Sequence, residues 1–120
     1  MTDGGVRDAA EFAEIGLPVF ASFLTPLSNK GLWAFTAVDD PVDLPGQNGG
    51  AVRVASGDWI HADRDGVVVI PAAHAAQVVA DAEVVEAVEG RIKQALLAGE
   101  DREAVYARHD RFGHIRKPAS

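Results

Sequence analysis

The chain contains no cysteine, and it has one methionine, one tyrosine and an aromatic content of only 7%. Without cysteine it forms no disulfide, no thiolate zinc site and no cysteine nucleophile. That composition fits a reducing compartment, so a cytoplasmic protein is expected. Basic residues are scarce as well: 11 Lys and Arg stand against 18 Asp and Glu, for a net charge of -7. Nucleic-acid backbones call for clustered cations, so no nucleic-acid partner is expected. The locally basic stretch from Arg108 to Lys117 is too short to reverse that. No apolar run approaches the ~18 residues of a membrane span, and none follows a basic N-terminal region as in a signal peptide. No internal repeat or low-complexity segment is visible.

The 120 residues, 48% of them hydrophobic, suggest one globular domain with a modest core. Arg7 to Ile15 reads as a short helix that Gly16 can end. Strands are expected at VFASF after Pro18, at GLWAFTAV (31–38), at Val42 to Leu44, at AVRVA (51–55) and at WIHAD (59–63). VVVI (67–70) is a continuous apolar run of the kind buried on both faces. The turns SGD and RDG are too short for parallel crossovers, so the strands between 51 and 70 should pair antiparallel. Pro71 can open a helix, and a proline-free segment at 72–98 with Gly99 just beyond it predicts one long helix. A shorter helix follows, with Asp101 as N-cap and His109 at its end. Residues 110–120 form a tail, loose or docked on a partner. Helices flanking a strand-rich centre make an α/β or α+β arrangement.

Spacings of three and four along the long helix pick out Val78, Ala82, Val85, Glu89, Ile92 and Leu96 as its inward stripe. Glu89 breaks that stripe. A glutamate there pairs with Lys93 at i+4, or it points into a cleft or toward a neighbouring subunit.

The chain's first distinctive stretch is DGGVRD, Asp3 to Asp8. Its glycines permit tight turns and close approach to a ligand, and its arginine is a fork suited to carboxylates or phosphates. Its second aspartate is a hard oxygen ligand. Together with GLPVFA, GDWIHADRDGVVVIP from Gly57 to Pro71 and the long helix, this stretch resembles the C-terminal part of the RraA-like family. The most specific matches are Asp3, Gly4, Arg7 and Asp8, and the run from Gly57 to Pro71. The family includes 4-hydroxy-4-methyl-2-oxoglutarate and 4-carboxy-4-hydroxy-2-oxoadipate aldolases that also decarboxylate oxaloacetate, and the regulator of ribonuclease activity A.

The resemblance implies an α/β fold, a swivelling β/β/α domain whose N-terminal part is missing here, assembled as a homotrimer or hexamer. It implies a lyase acting on small 2-oxo acids with a divalent metal, Mg2+ or Mn2+. Arg7 and Gly4 would bind substrate, Arg7 would also face the developing enolate, and Asp8 would hold the metal, partly through water. An acidic residue on the C-terminal helix of a neighbouring subunit approaches the site in such proteins; counting back from Gly99 points to Glu89, with Glu86 as rival. The chemistry is coherent: cleavage or decarboxylation of a 2-oxo acid leaves a pyruvate enolate, which fixed positive charge stabilises. A non-catalytic regulator of an RNA-processing enzyme, or an inactive truncated member, are the alternatives.

Other candidates read as structural. Asp3, Asp58, Asp63 and Asp65 suit turn and cap chemistry. His61, His74, His109 and His114 show no metal-ligand spacing. Trp33 and Trp59 are expected in the core or an interface. Ser22, Ser28 and Ser56 lack a nucleophile-elbow context, and Lys30 lacks the apolar surroundings of a Schiff-base lysine.

Overall fold

A computed structural model describes residues 1–116. The chain divides into two compact units, Met1–Ala72 and Ala73–Ser120, each taken here by itself. Helices and strands are mixed, an α/β arrangement.

The first unit holds β1 (Gly5–Val6), α1 (Ala9–Glu14), β2 (Phe23–Leu24), β3 (Val42–Pro45), β4 (Ala51–Val54), β5 (Trp59–Ala62) and β6 (Val67–Ile70). They form three two-stranded ladders. β1 and β2 run parallel, while β3–β4 and β5–β6 are antiparallel hairpins. Turn chemistry sets the two hairpin registers. Between β3 and β4, Gly46 donates its N–H to the Gly50 carbonyl at 2.7 Å, and Asn48 takes a left-handed φ of 59°, which asparagine tolerates better than most residues. Between β5 and β6, one oxygen of Asp63 accepts the N–H groups of Asp65 and Gly66 at 2.8 and 3.3 Å. The strands thus pair as Val42 with Val54 and Trp59 with Ile70.

Asp58 ties this unit together locally. Its carboxylate accepts the N–H of Ala55 at 2.9 Å through one oxygen and the N–H of Ala72, beyond β6, at 3.0 Å through the other. Those two backbone donors, Ala55 first, hold its pKa below the usual 3.8.

The second unit is a helical hairpin, α2 (Ala75–Leu97) and α3 (Arg102–Arg108). α2 starts later than position 72 because Ala72–His74 form a 3-10 turn first. Its end is a Schellman motif: Gly99 at φ 83° donates to Leu96, and Glu100 donates to Ala95. The side chain of Asp101 accepts the Ala104 N–H at 2.9 Å and caps α3. Val88, Ile92, Ala95 and Val105 form the buried cluster where the helices meet.

Several sequence expectations are corrected. Residues 31–38 form no strand, and the β-structure expected over VFASF is confined to Phe23–Leu24. A β-prone stretch becomes a strand only when it pairs with an edge, and 31–38 pairs with none among the described residues. Trp33 and Trp59 are 55% and 64% exposed, which removes the core alternative for them, and Val68 of the VVVI run is 58% exposed. The inward stripe of α2 is Val85, Val88, Ile92 and Ala95, so Glu89 flanks it instead of interrupting it. The contact with α3 sets the phase of the helix, and small alanines on every side let more than one stripe look plausible. The tail is not loose over its described part. Arg111 reaches α2, and the His114 ring nitrogen Nε2 lies 3.1 Å from the Asp81 carbonyl oxygen. Residues 117–120 of the expected tail lie outside the described residues.

Candidate active-site loop

β1 delivers the DGGVRD loop. Its parallel pairing with β2 is extended by bonds from Ser22 N–H to the Gly4 carbonyl at 3.1 Å and from Thr25 N–H to the Val6 carbonyl at 2.9 Å. Gly5 packs against the Phe23 ring so closely that a Cβ would collide with it. Gly4 has room for a side chain, since a Cβ there meets only Thr2 Oγ1 at an ordinary 3.5 Å. Its N–H is already given to Thr2 Oγ1 at 3.1 Å. A ligand oxygen reaching that N–H would take the place of the threonine hydroxyl. The hydroxyl of Thr2 went unnoticed in the sequence, where a lone threonine beside a glycine carries no signal.

Arg7 and Asp8 stand together. Arg7 Nε donates to Asp8 Oδ2 at 2.8 Å, and both side chains are about half exposed, at 53% and 49%. Asp8 sits at the N-cap position of α1 in the left-handed region, φ 62° and ψ 36°, yet makes no side-chain cap bond to the helix. A non-glycine residue in that conformation costs on the order of 1 kcal/mol. The carboxylate that would ordinarily offset this by capping is turned to Arg7 instead. Because Nε is the nitrogen used, the two terminal nitrogens of Arg7 remain as a fork, with no hydrogen bond among the described residues. Oδ1 of Asp8 is likewise unbonded among the described residues.

No group of three or more His, Asp or Glu side chains able to hold a metal occurs among the described residues. The donor set at Asp8 is one exposed carboxylate with a free oxygen. That suits a hard cation that keeps most of its waters, as magnesium does, and does not suit a zinc-type cage. Beside the loop, a groove of about 410 Å³ runs between α1 and the chain after it, lined by Phe12, Leu17, Phe20 and Leu24 among others. Neither Arg7 nor Asp8 lines it, so it is poorly suited to an oxygen-rich acid.

Glu89 belongs to the second unit. It is exposed, and its Oε1 accepts from an Arg111 terminal nitrogen at 3.3 Å. This pairing replaces the one expected with Lys93. The Arg111 guanidinium also lies 4.9 Å from the Phe112 ring centroid and 5.4 Å from that of Tyr106. Spacing could not have revealed the pair, because its members are 22 residues apart.

The sequence model of the family described as RraA-like, Aldolase/RraA, matches residues 1–69. The chain belongs to the RraA-like family. Within that match lie Gly4, Arg7 and Asp8, whereas Glu89 and Glu86 lie beyond it. The likeness expected over nearly the whole chain is shown by this match for residues 1–69. A crystal structure of an uncharacterized protein from Pseudomonas syringae pv. tomato superposes with a TM-score of 0.75 at 30% identity, covering 86% of this chain and 49% of that one. In sequence, this RraA-like chain is 39% identical over 69 residues to proteins of Burkholderia mallei and Burkholderia pseudomallei named "Putative 4-hydroxy-4-methyl-2-oxoglutarate aldolase". The match covers 58% of this chain and 38% of theirs, so this RraA-like chain spans well under two thirds of those relatives. Among the described residues no helix is long and apolar enough to cross a membrane.

Proposed function

We propose that the DGGVRD loop is the metal and carboxylate end of a lyase site for small 2-oxo acids, cleaving 4-hydroxy-2-oxo diacids to pyruvate and decarboxylating oxaloacetate. The observation that carries this reading is the uncapped, left-handed Asp8 held at 2.8 Å by Arg7. A helix-start aspartate that forgoes its cap and faces an arginine is arranged for a ligand, and backbone strain of this kind is concentrated at sites. The relatives named as aldolases support the same substrate class.

In this reading the free fork of Arg7 grips a substrate carboxylate and fixes its plane. Asp8, whose Oδ1 is unbonded among the described residues, would hold Mg2+ or Mn2+ directly or through water. When bound, that ion supplies Lewis-acid stabilisation of negative charge on the 2-oxo oxygen. Arg7 adds a second fixed positive charge at the same end of the substrate. Retro-aldol cleavage also needs a base for the substrate hydroxyl, and Glu89 from a neighbouring copy in a trimer or hexamer is the candidate, its carboxylate oriented by Arg111. Decarboxylation does not need that base.

The test is pyruvate release from oxaloacetate and from 4-hydroxy-4-methyl-2-oxoglutarate with and without magnesium. Asp8→Asn and Arg7→Ala are each expected to lose on the order of 100-fold in kcat/KM. Glu89→Gln is expected to slow the aldol substrate while sparing oxaloacetate. Unchanged magnesium-dependent turnover in Asp8→Asn would remove the metal role.

A further inference from the structure

We infer that the groove beside the DGGVRD loop takes the carbon end of the substrate, so that among 2-oxo acids the site favours those with an aromatic or branched-alkyl group on C4 over those with a second carboxylate there. This rests on the lyase reading above and narrows its substrate class. Val6 and Ala9, the residues on either side of the Arg7–Asp8 pair, both line the groove. The pair therefore stands one residue, about 3.8 Å along the backbone, from the groove wall. Ala9, Phe12 and Ala13 lie three and four positions apart and turn one face of α1 toward it, while Glu11 and Glu14 of the same helix do not line it. The two alanines leave room, and Phe12 forms a wall. Another wall is the ring of Phe23, which is held tightly against Gly5.

Size and charge select the occupant. The groove holds about 410 Å³, within the range of small-molecule sites, roughly 300–1,000 Å³. One turn of a helix with its side chains takes about 420 Å³, so the space has the scale of a small molecule and not of a polypeptide element. Every side chain lining it is apolar. The fork of Arg7, which has no hydrogen bond among the described residues, serves one carboxylate at one end. No cation lines the groove to receive a second carboxylate, and burying one unpaired there is costly. A ring entering it meets the Phe12 and Phe23 rings, which favour an aromatic partner in offset or edge-on contact. The cleavage of such a substrate balances without a co-reactant. In 4-hydroxy-2-oxo-4-phenylbutanoate the C3–C4 bond breaks and its electron pair passes to the 2-oxo group as an enolate. The C4 hydroxyl loses its proton to the base and becomes the carbonyl of benzaldehyde, and C3 takes up a proton to give pyruvate.

The experiment uses the full chain and begins with binding, measured by calorimetry. The probe is 2-oxo-4-phenylbutanoate, which lacks the C4 hydroxyl and cannot be cleaved; pyruvate and 2-oxoglutarate are the references. The phenyl acid is expected to bind at least tenfold more tightly than either reference, since even one methylene in an apolar pocket is worth about that much. Ala13→Leu fills the groove with a residue that keeps the helix, as circular dichroism checks, and should remove that preference. Arg7→Ala should weaken the phenyl acid at least tenfold. Pyruvate release then compares 4-hydroxy-2-oxo-4-phenylbutanoate with 4-hydroxy-4-methyl-2-oxoglutarate, and kcat/KM is expected to be at least tenfold higher for the phenyl substrate. Equal binding of the three acids overturns the inference, as does a preference that survives Ala13→Leu or a kcat/KM that favours the diacid. Cleavage of the diacid without a preference for the phenyl acid would leave the lyase reading standing and sink the groove assignment. A groove-dependent preference with no pyruvate from any substrate would do the opposite.

Discussion

Asp8 separates strain from chemistry, because glycine accepts its backbone conformation and lacks its carboxylate. Asp8→Gly should melt at or above the wild-type temperature and lose magnesium-dependent turnover, whereas Asp8→Ala should lose about 1 kcal/mol of stability as well. Thermal melts beside activity assays distinguish the two, and a destabilised Asp8→Gly would show that the carboxylate serves the fold. Asp58 makes the complementary case of an aspartate used by the fold. Its two backbone bonds depress its pKa below 3.8. A depressed carboxylate contributes stability that is present above its unfolded pKa and is lost as pH falls through the folded one. Wild type should therefore lose melting temperature faster than Asp58→Asn as pH falls from 5 toward 3, in circular dichroism melts at matched ionic strength. Parallel curves would show that the Ala55 and Ala72 contacts contribute nothing.

Helix ends and hairpins were legible in the sequence because their signals are local. Gly99, Asp101 and the SGD and RDG turns specify their own neighbourhoods through φ preference and short-range hydrogen bonds. What depends on distant partners was not. The phase of α2, the fate of residues 31–38 and the Glu89–Arg111 pair are all set by contacts between remote positions. In the site, Arg7 and Asp8 were readable from their motif, yet their 2.8 Å contact and the left-handed Asp8 were not. The helical hairpin offers a direct measure of its own packing. Ile92, 3% exposed within the buried cluster, should cost about 2–4 kcal/mol when cut to alanine, while Asp101→Ala should cost about 1 kcal/mol through the lost cap. Arg111→Ala, which breaks only an exposed pair and its ring contacts, should cost no more than about 1 kcal/mol. Urea titrations of the three variants test that ranking.

At the scale of the whole chain, the controlling quantity is how little surface folding removes. An unfolded chain of this mass exposes about 18,300 Å², and 10012 Å² stays exposed after folding. Folding therefore buries roughly 8,300 Å², where a compact chain of the same mass would bury about 12,000 Å². The denaturant slope m scales with the area newly exposed on unfolding. The isolated chain at low concentration should thus show a total urea m-value about a third below that of a compact protein of 120 residues. It should also bind hydrophobic dyes in its native baseline. A full-sized m-value for the monomer, with no dye binding, would mean that the chain covers its own apolar surface in solution.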